Sequence, residues 1–327
     1  MKALFYTGTL QTEVRETPEP KAGVGETLID VSHCGICGSD MHAYHGHDAR
    51  RVPPMILGHE ISGFARGGPF DGKRVVVNPL MTCGTCKACK RGKVHLCPQR
   101  RLLGMAVPGG FAQKVVVENA NISEIPDQLS FENAALAEPL ACAVHAVRLG
   151  LERLDTPAGE AKVVVLGGGA IGLLCAMVFA EMGVKNLHIA ETNPKRREVL
   201  EDAVAAKAYD PMSEMPEDVD LVLDAVGSGR TRDASTQMVA PGGMIVHIGL
   251  QDNEAGLDTR KMTLQEVGFL GVYCYTPSDF AEAVRLLAEG RVANGVWSET
   301  RPLAEGAQSF KDIHDGNAPP KIILSMT

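Results

Sequence analysis

The chain has 327 residues, 45% hydrophobic and 22% charged, which is ordinary globular composition and enough length for two domains. These figures exclude disordered and collagen-like classes, and a net charge of -8 without a basic tract excludes a nucleic-acid partner. The opening run Met1-Lys2-Ala3-Leu4-Phe5-Tyr6 reads as a strand rather than a secretion signal, so a cytoplasmic protein is expected.

Residues 1 to about 140 read as β-rich. Strands are predicted at 14–16, 27–31, 74–77 and 114–118, punctuated by Pro18-Glu19-Pro20 and Gly67-Gly68-Pro69. From Lys162 the pattern changes to alternating strands and helices. Val163-Val164-Val165-Leu166 is a buried strand, and 171–182 is an apolar helix closed by Gly183. A strand at 187–190, a charged helix at 194–206 and strands at 221–224 and 244–248 follow. Such alternation predicts an α/β fold with a doubly wound parallel sheet. A helix at 279–290 comes next, and the last strand, 321–324, is expected to return to the first domain. Residues 163–180 carry no charge and imitate a membrane span. The glycines at its centre mark strand, turn and helix instead, so no membrane association is expected.

Gly167-Gly168-Gly169-Ala170-Ile171-Gly172 satisfies G-x-G-x-x-G. The motif alone is weak; following a strand and opening a helix, it predicts dinucleotide binding. Gly167 permits the tight turn, Gly169 lets the backbone approach a pyrophosphate, and Gly172 lets helix and sheet pack closely. Glu191 ends the second strand, where a carboxylate accepts ribose hydroxyls and repels a 2′-phosphate. NAD is therefore favoured over NADP, with Arg196 expected over the adenine rather than on a phosphate.

Nine cysteines are present, and Cys83, Cys86, Cys89 and Cys97 lie in one short segment. Four thiolates close a tetrahedral zinc site and leave no place for substrate, so its expected role is structural. A second set is spread along the chain: Cys37-Gly38-Ser39-Asp40-Met41-His42, Gly58-His59-Glu60 and Glu138-Pro139. Catalytic zinc keeps about three protein ligands and an open position. Cys37 and His59 suit the first two, and Glu60 or Glu138 the third. His33, His45 and His47 read as loop histidines, Cys34, Cys142, Cys175 and Cys274 as small buried residues, and Asp224 as a turn cap.

These motifs together resemble the zinc-containing medium-chain dehydrogenases along essentially the whole chain. Glu138-Pro139-Leu140 is similar to the sorbitol (polyol), butanediol and threonine dehydrogenase branch. The resemblance implies a GroES-like catalytic domain at 1–138 bearing the zinc lobe 83–97, a Rossmann domain at 139–275, and a return to the catalytic domain at 276–327. It implies that Cys37, His59 and Glu60 bind the catalytic zinc, with Glu138 binding directly or through water. Asp40 would orient the histidine ligand, Ser39 and His42 would relay the proton, and Ile171, Glu191 and Arg196 would contact the nucleotide. The implied function is zinc-dependent hydride transfer from a secondary alcohol or polyol to NAD, with two zinc ions per chain in a homodimer or homotetramer. The alternatives are a threonine- or sugar-phosphate-type dehydrogenase of the same family, or a non-catalytic dinucleotide-binding protein. Two departures stand out. The stretch between His59 and Arg74 is short for the family, and Tyr273-Cys274-Tyr275 lacks the arginine that meets the polyol in sorbitol dehydrogenases.

Overall fold

A computed structural model describes residues 1–293 and 297–326. Residues 294–296, and Thr327 at the end of the predicted 276–327 segment, lie outside the described residues. The chain forms two compact units. One comprises Met1–Pro139, Thr276–Glu289 and Ser298–Thr327; the other comprises Leu140–Tyr275 and Gly290–Trp297.

The first unit is built on a seven-stranded sheet. Its long strand, Glu26–Gly35, pairs antiparallel with Glu60–Arg66, with Lys114–Glu118 and with Lys321–Ser325. Alternation makes these strands: Leu28 and Val116, for example, sit opposite each other in register, and Ile29, Val31, Val115 and Val117 are buried. Two register pairs matter for the site. Gly35 lies opposite Glu60 on one side and Ile323 on the other, so the last strand of the chain borders the Glu60 end of the sheet. A short hairpin, Leu80–Met81 with Arg101–Leu102, forms the base of the four-cysteine lobe.

The second unit holds a six-stranded, all-parallel sheet. Its spatial order is Lys207–Tyr209, Asn186–Ala190, Lys162–Leu166, Val219–Asp224, Val239–His247 and Gly268–Gly271. Numbered along the chain this is 3-2-1-4-5-6, the dinucleotide-binding order, whose switch point lies beside the first strand. Residues Val163, Val164 and Val165 are fully buried, as a parallel strand covered on both faces requires. The neutral stretch that imitates a membrane span is this strand, a turn and the helix Ala170–Glu181. Among the described residues, no helix is long and apolar enough to cross a membrane.

Several expectations need correction. The helix predicted at 194–206 is Pro194–Ala203, because Val204 turns to extended backbone and Lys207–Tyr209 joins the sheet beside Asn186–Ala190. The strand predicted at 244–248 begins earlier, as Val239–His247. His33 is in the strand Glu26–Gly35, not a loop. Within the predicted returning segment 276–327, Gly290–Trp297 belongs instead to the second unit. Arg291 pairs there with Glu181, and Val292 and Ala293 line one cavity with Met177 and Ala180.

Candidate functional site

The short helix Gly38–Tyr44 positions the first candidate ligand. Cys37 is its N-cap, and its sulfur accepts from the Ser39 backbone N–H at 3.4 Å. The Asp40 carboxylate closes the capping box by accepting from the Cys37 N–H at 3.0 Å. That bond uses Oδ2. The other oxygen, Oδ1, lies 3.7 Å from Nδ1 of His59, so the device that starts the helix also aims a buried carboxylate at a candidate ligand. With Nδ1 facing Asp40, Nε2 is the ring nitrogen left for a metal.

Ligand atoms of Cys37, His59 and Glu60 all lie within 4.8 Å of one another. His59 Nδ1 and Asp40 Oδ1 face each other, but the buried Glu60 Oε1 lacks a hydrogen-bond partner. Buried polar atoms are rarely left so, and a divalent cation between Cys37, His59 Nε2 and Glu60 would satisfy it. The thiol agrees. Burial, then the carboxylates of Glu60 and Asp40, push Cys37 up to about 11, a penalty that a bound cation reverses. The donor set of one thiolate, one imidazole and one carboxylate fits zinc with a position left open. Glu138 is buried in the first turn of the helix Ala137–Leu151 and stands outside this converging group.

Two buried cations frame the group, and sequence reasoning missed both. Lys321, 2% exposed, forms an ion pair with Glu60 and donates to the Ile36 carbonyl at 2.8 Å. Burial alone would lower its pKa, but the Glu60 carboxylate and the Cys37 sulfur hold it above its ordinary value. Gly35 makes room for the pair: a Cβ there would stand 1.9 Å from Glu60 Oε2 and 2.9 Å from Lys321 Cε. On the other side, Arg51 pairs with Asp48 and donates to Ser39. The candidate relay residue His42 is half-buried on the same helix. Burial, then the neighbouring charges of His47 and Arg51, lower its pKa. His45 follows the helix, and its Nε2 lies 3.0 Å from Nδ1 of His314.

The lobe brings Cys83, Cys86, Cys89 and Cys97 together within 4.8 Å. Backbone N–H groups of Thr85 and Cys86 pull the Cys83 thiol down to about 6, and burial pushes that of Cys89 up to about 11. The set is tetrahedral zinc chemistry with no donor left over for substrate.

In the second unit, Gly167–Gly172 connects the first strand to its helix at the switch point. A Cβ on Gly172 would come within 1.8 Å of the Gly167 carbonyl oxygen, whereas one on Gly169, the helix N-cap, would meet nothing. Close packing is thus needed at one glycine, and open space lies beside the other, where the N–H groups of the first turn can meet an anion. Ala170 and Ile171 open the helix. Glu191, buried, follows Asn186–Ala190 and accepts from the N–H groups of Gly168 at 3.0 Å and Asn193 at 2.8 Å. Arg197 is tied to the Glu191 and Thr192 carbonyls, at 2.7 and 3.0 Å. The buried Nε of Arg196 has no partner among the described residues. Asp224 caps a turn, accepting from Val226 and Gly227 N–H groups at 3.0 and 2.8 Å.

Residues 23–127 match the alcohol dehydrogenase GroES-like domain family, and residues 170–289 match the zinc-binding dehydrogenase family. A 2-dehydro-3-deoxy-L-galactonate 5-dehydrogenase from Pseudoalteromonas atlantica is 33% identical, over 97% of this chain and 96% of its own. An NADH-complexed alcohol dehydrogenase from Escherichia coli CFT073 superposes with a TM-score of 0.90 at 25% identity, covering 100% of this chain and 99% of its own. A zinc-binding dehydrogenase from Sinorhizobium meliloti bound to NADP does so with 0.87 at 28% identity, covering 99% and 98%.

Proposed function

Since the chain belongs to the zinc-containing medium-chain dehydrogenase family, in its polyol dehydrogenase-like branch, and is an oxidoreductase using zinc and a nicotinamide cofactor, we propose that it oxidises a secondary hydroxyl of a polyol or sugar-derived substrate to a ketone. NAD is the hydride acceptor, two zinc ions bind per chain, and the working form is a cytoplasmic homodimer or homotetramer. The observation that carries the reading is the convergence of Cys37, His59 and Glu60, with a buried Glu60 oxygen left unpartnered.

When bound, the catalytic zinc supplies Lewis-acid polarisation of the substrate oxygen, and the nicotinamide supplies the hydride acceptor. The residues of the chain do the rest. Cys37, His59 and Glu60 hold the metal, with Glu138 in reserve, and Asp40 fixes the tautomer and orientation of His59. Ser39 accepts the proton of the substrate hydroxyl as its own passes on to His42. Burial lowers the pKa of that imidazole and so favours the neutral form, which can accept. The four lobe thiolates hold a second zinc that maintains structure. The turn Gly167–Gly172 takes the pyrophosphate, Glu191 the adenosine ribose, and Arg196 the adenine. Glu191 Oε2 keeps acceptor capacity beyond its bond from Gly168, while Oε1 accepts from Asn193 N–H and the Thr192 hydroxyl.

The test measures reduction of NAD and of NADP with a panel of polyols, sugar acids and simple secondary alcohols. We expect kcat/KM to favour NAD by about tenfold to a hundredfold, the worth of charge-assisted bonds to the ribose. Glu191→Ser should narrow the ratio. A parent enzyme that prefers NADP overturns the cofactor reading, and no turnover with any alcohol overturns the dehydrogenase reading.

A further inference from the structure

Arg51 is 2% exposed. Its Nε donates to the Gly104 carbonyl at 3.2 Å. Its Nη1 donates to Asp48 Oδ2 at 2.7 Å and to the Ser39 carbonyl at 2.9 Å. Its Nη2 donates to Ser39 Oγ at 3.2 Å and lies 4.0 Å from Asp40 Oδ1, the oxygen facing His59. Asp48, which Arg50 shares, and Asp40 supply the counter-charge of the guanidinium, so the neutral Ser39 hydroxyl is not held there as a counter-ion. Its bond to Arg51 has a consequence for chemistry.

A serine hydroxyl has one proton to donate and two lone pairs to accept with. A guanidinium donates only and does not deprotonate in proteins. With Nη2 on one lone pair, Ser39 Oγ keeps one acceptor site and one proton, confined to its two remaining tetrahedral positions. We propose that Arg51 is a positioning residue for the proton relay, setting the Ser39 hydroxyl so that its remaining lone pair receives the substrate proton while its own proton leaves toward His42. This rests on the reading of Ser39 as the first proton acceptor. In the step, the substrate O–H bond breaks as an O–H bond forms at Ser39 Oγ, and the original Ser39 O–H breaks as an N–H bond forms on His42. No electron pair leaves the relay. The adjacent cation also sets the order: it stabilises a serine oxygen that has released its proton and opposes one carrying two, so release leads and capture follows.

The experiment compares parent, Arg51→Gln, Arg51→Lys and Ser39→Ala, each checked for zinc content and for a cooperative melt. In Arg51→Gln we expect two zinc ions retained, KM little changed, kcat lowered about tenfold or more, and a solvent deuterium isotope effect on kcat larger than the parent's. Arg51→Lys keeps the cation without the fork and should recover part of the rate. Adding Arg51→Gln to Ser39→Ala should cost nothing further. The inference is overturned if zinc-replete Arg51→Gln keeps the parent's kcat and isotope effect. It is equally overturned if the activity lost only tracks zinc lost, as a purely structural role would give. Should Arg51→Gln not fold, Arg51→Lys decides by the same two readouts. Full activity in Ser39→Ala would instead overturn the relay reading itself, whatever Arg51 does.

Discussion

The two metal-ligand sets are built on opposite plans. The lobe gathers four ligands of one kind from a single short segment, Cys83 to Cys97, and three of the four are only partly buried. Backbone N–H groups pull the thiol of Cys83 down, while burial pushes that of Cys89 up. The other set gathers one thiol, one imidazole and one carboxylate from a helix cap and the start of an interior strand, with His59 and Glu60 buried, and surrounds them with the charges of Asp40, Arg51 and Lys321. A closed set needs only its ligands to be saturated. A set that must keep a position open for substrate leaves its ligands partly uncompensated, and the protein supplies the balance from further out.

Three substitutions sharpen or break this contrast. Cys37→Ala should have the largest effect. It removes one zinc and the polarisation worth several kcal/mol, lowering turnover about a thousandfold or more, while the melting temperature changes little. A Cys37→Ala protein with full activity contradicts the assignment. Cys89→Ala should do the reverse. It opens the closed site, and because structural zinc contributes folding free energy of about 10 kcal/mol in isolated zinc-binding peptides, stability falls first and activity follows it. Unchanged melting with one zinc missing by metal analysis would show that the lobe is not structural. The smallest shift is expected from Lys321→Met, which leaves Glu60 buried without its cation. Breaking a buried pair costs about 3–5 kcal/mol, but a divalent cation beside Glu60 supplies the missing charge. The zinc-stripped variant should therefore melt well below the stripped parent, and added zinc should close most of the gap. If the two stripped proteins melt alike, Glu60 and Lys321 do not depend on each other.

The same contrast explains what could be read from residues alone. The lobe is local in sequence, so its spacing displayed it completely. The glycine turn was equally plain, since each glycine answers a local demand of strand, turn and helix. Cys37, His59 and Glu60 could be proposed because each sits in a short motif. Lys321 and Arg51 could not. Lys321 precedes an apolar run and reads as a strand boundary, and Arg51 follows Arg50 and reads as a solvated pair. Arg50 is solvated, but Arg51 is not, and nothing in the dipeptide distinguishes them. Burial of a charge is a property of tertiary neighbours. The early end of the helix Pro194–Ala203 is of the same kind, since the pairing of Lys207–Tyr209 beside Asn186–Ala190 draws residues 204–206 out of a segment whose local preference was helical.

The ion pair between Glu60 and Lys321 joins two residues 261 positions apart. At roughly 5–20 residues per second, the four cysteines of the lobe are all made well before Lys321. Glu60 waits some tens of seconds longer for its cation to leave the ribosome. The order of translation thus separates the two ligand sets in time: the four thiols of the lobe are made together, and the set around Glu60 acquires its buried cation only when Lys321 has followed.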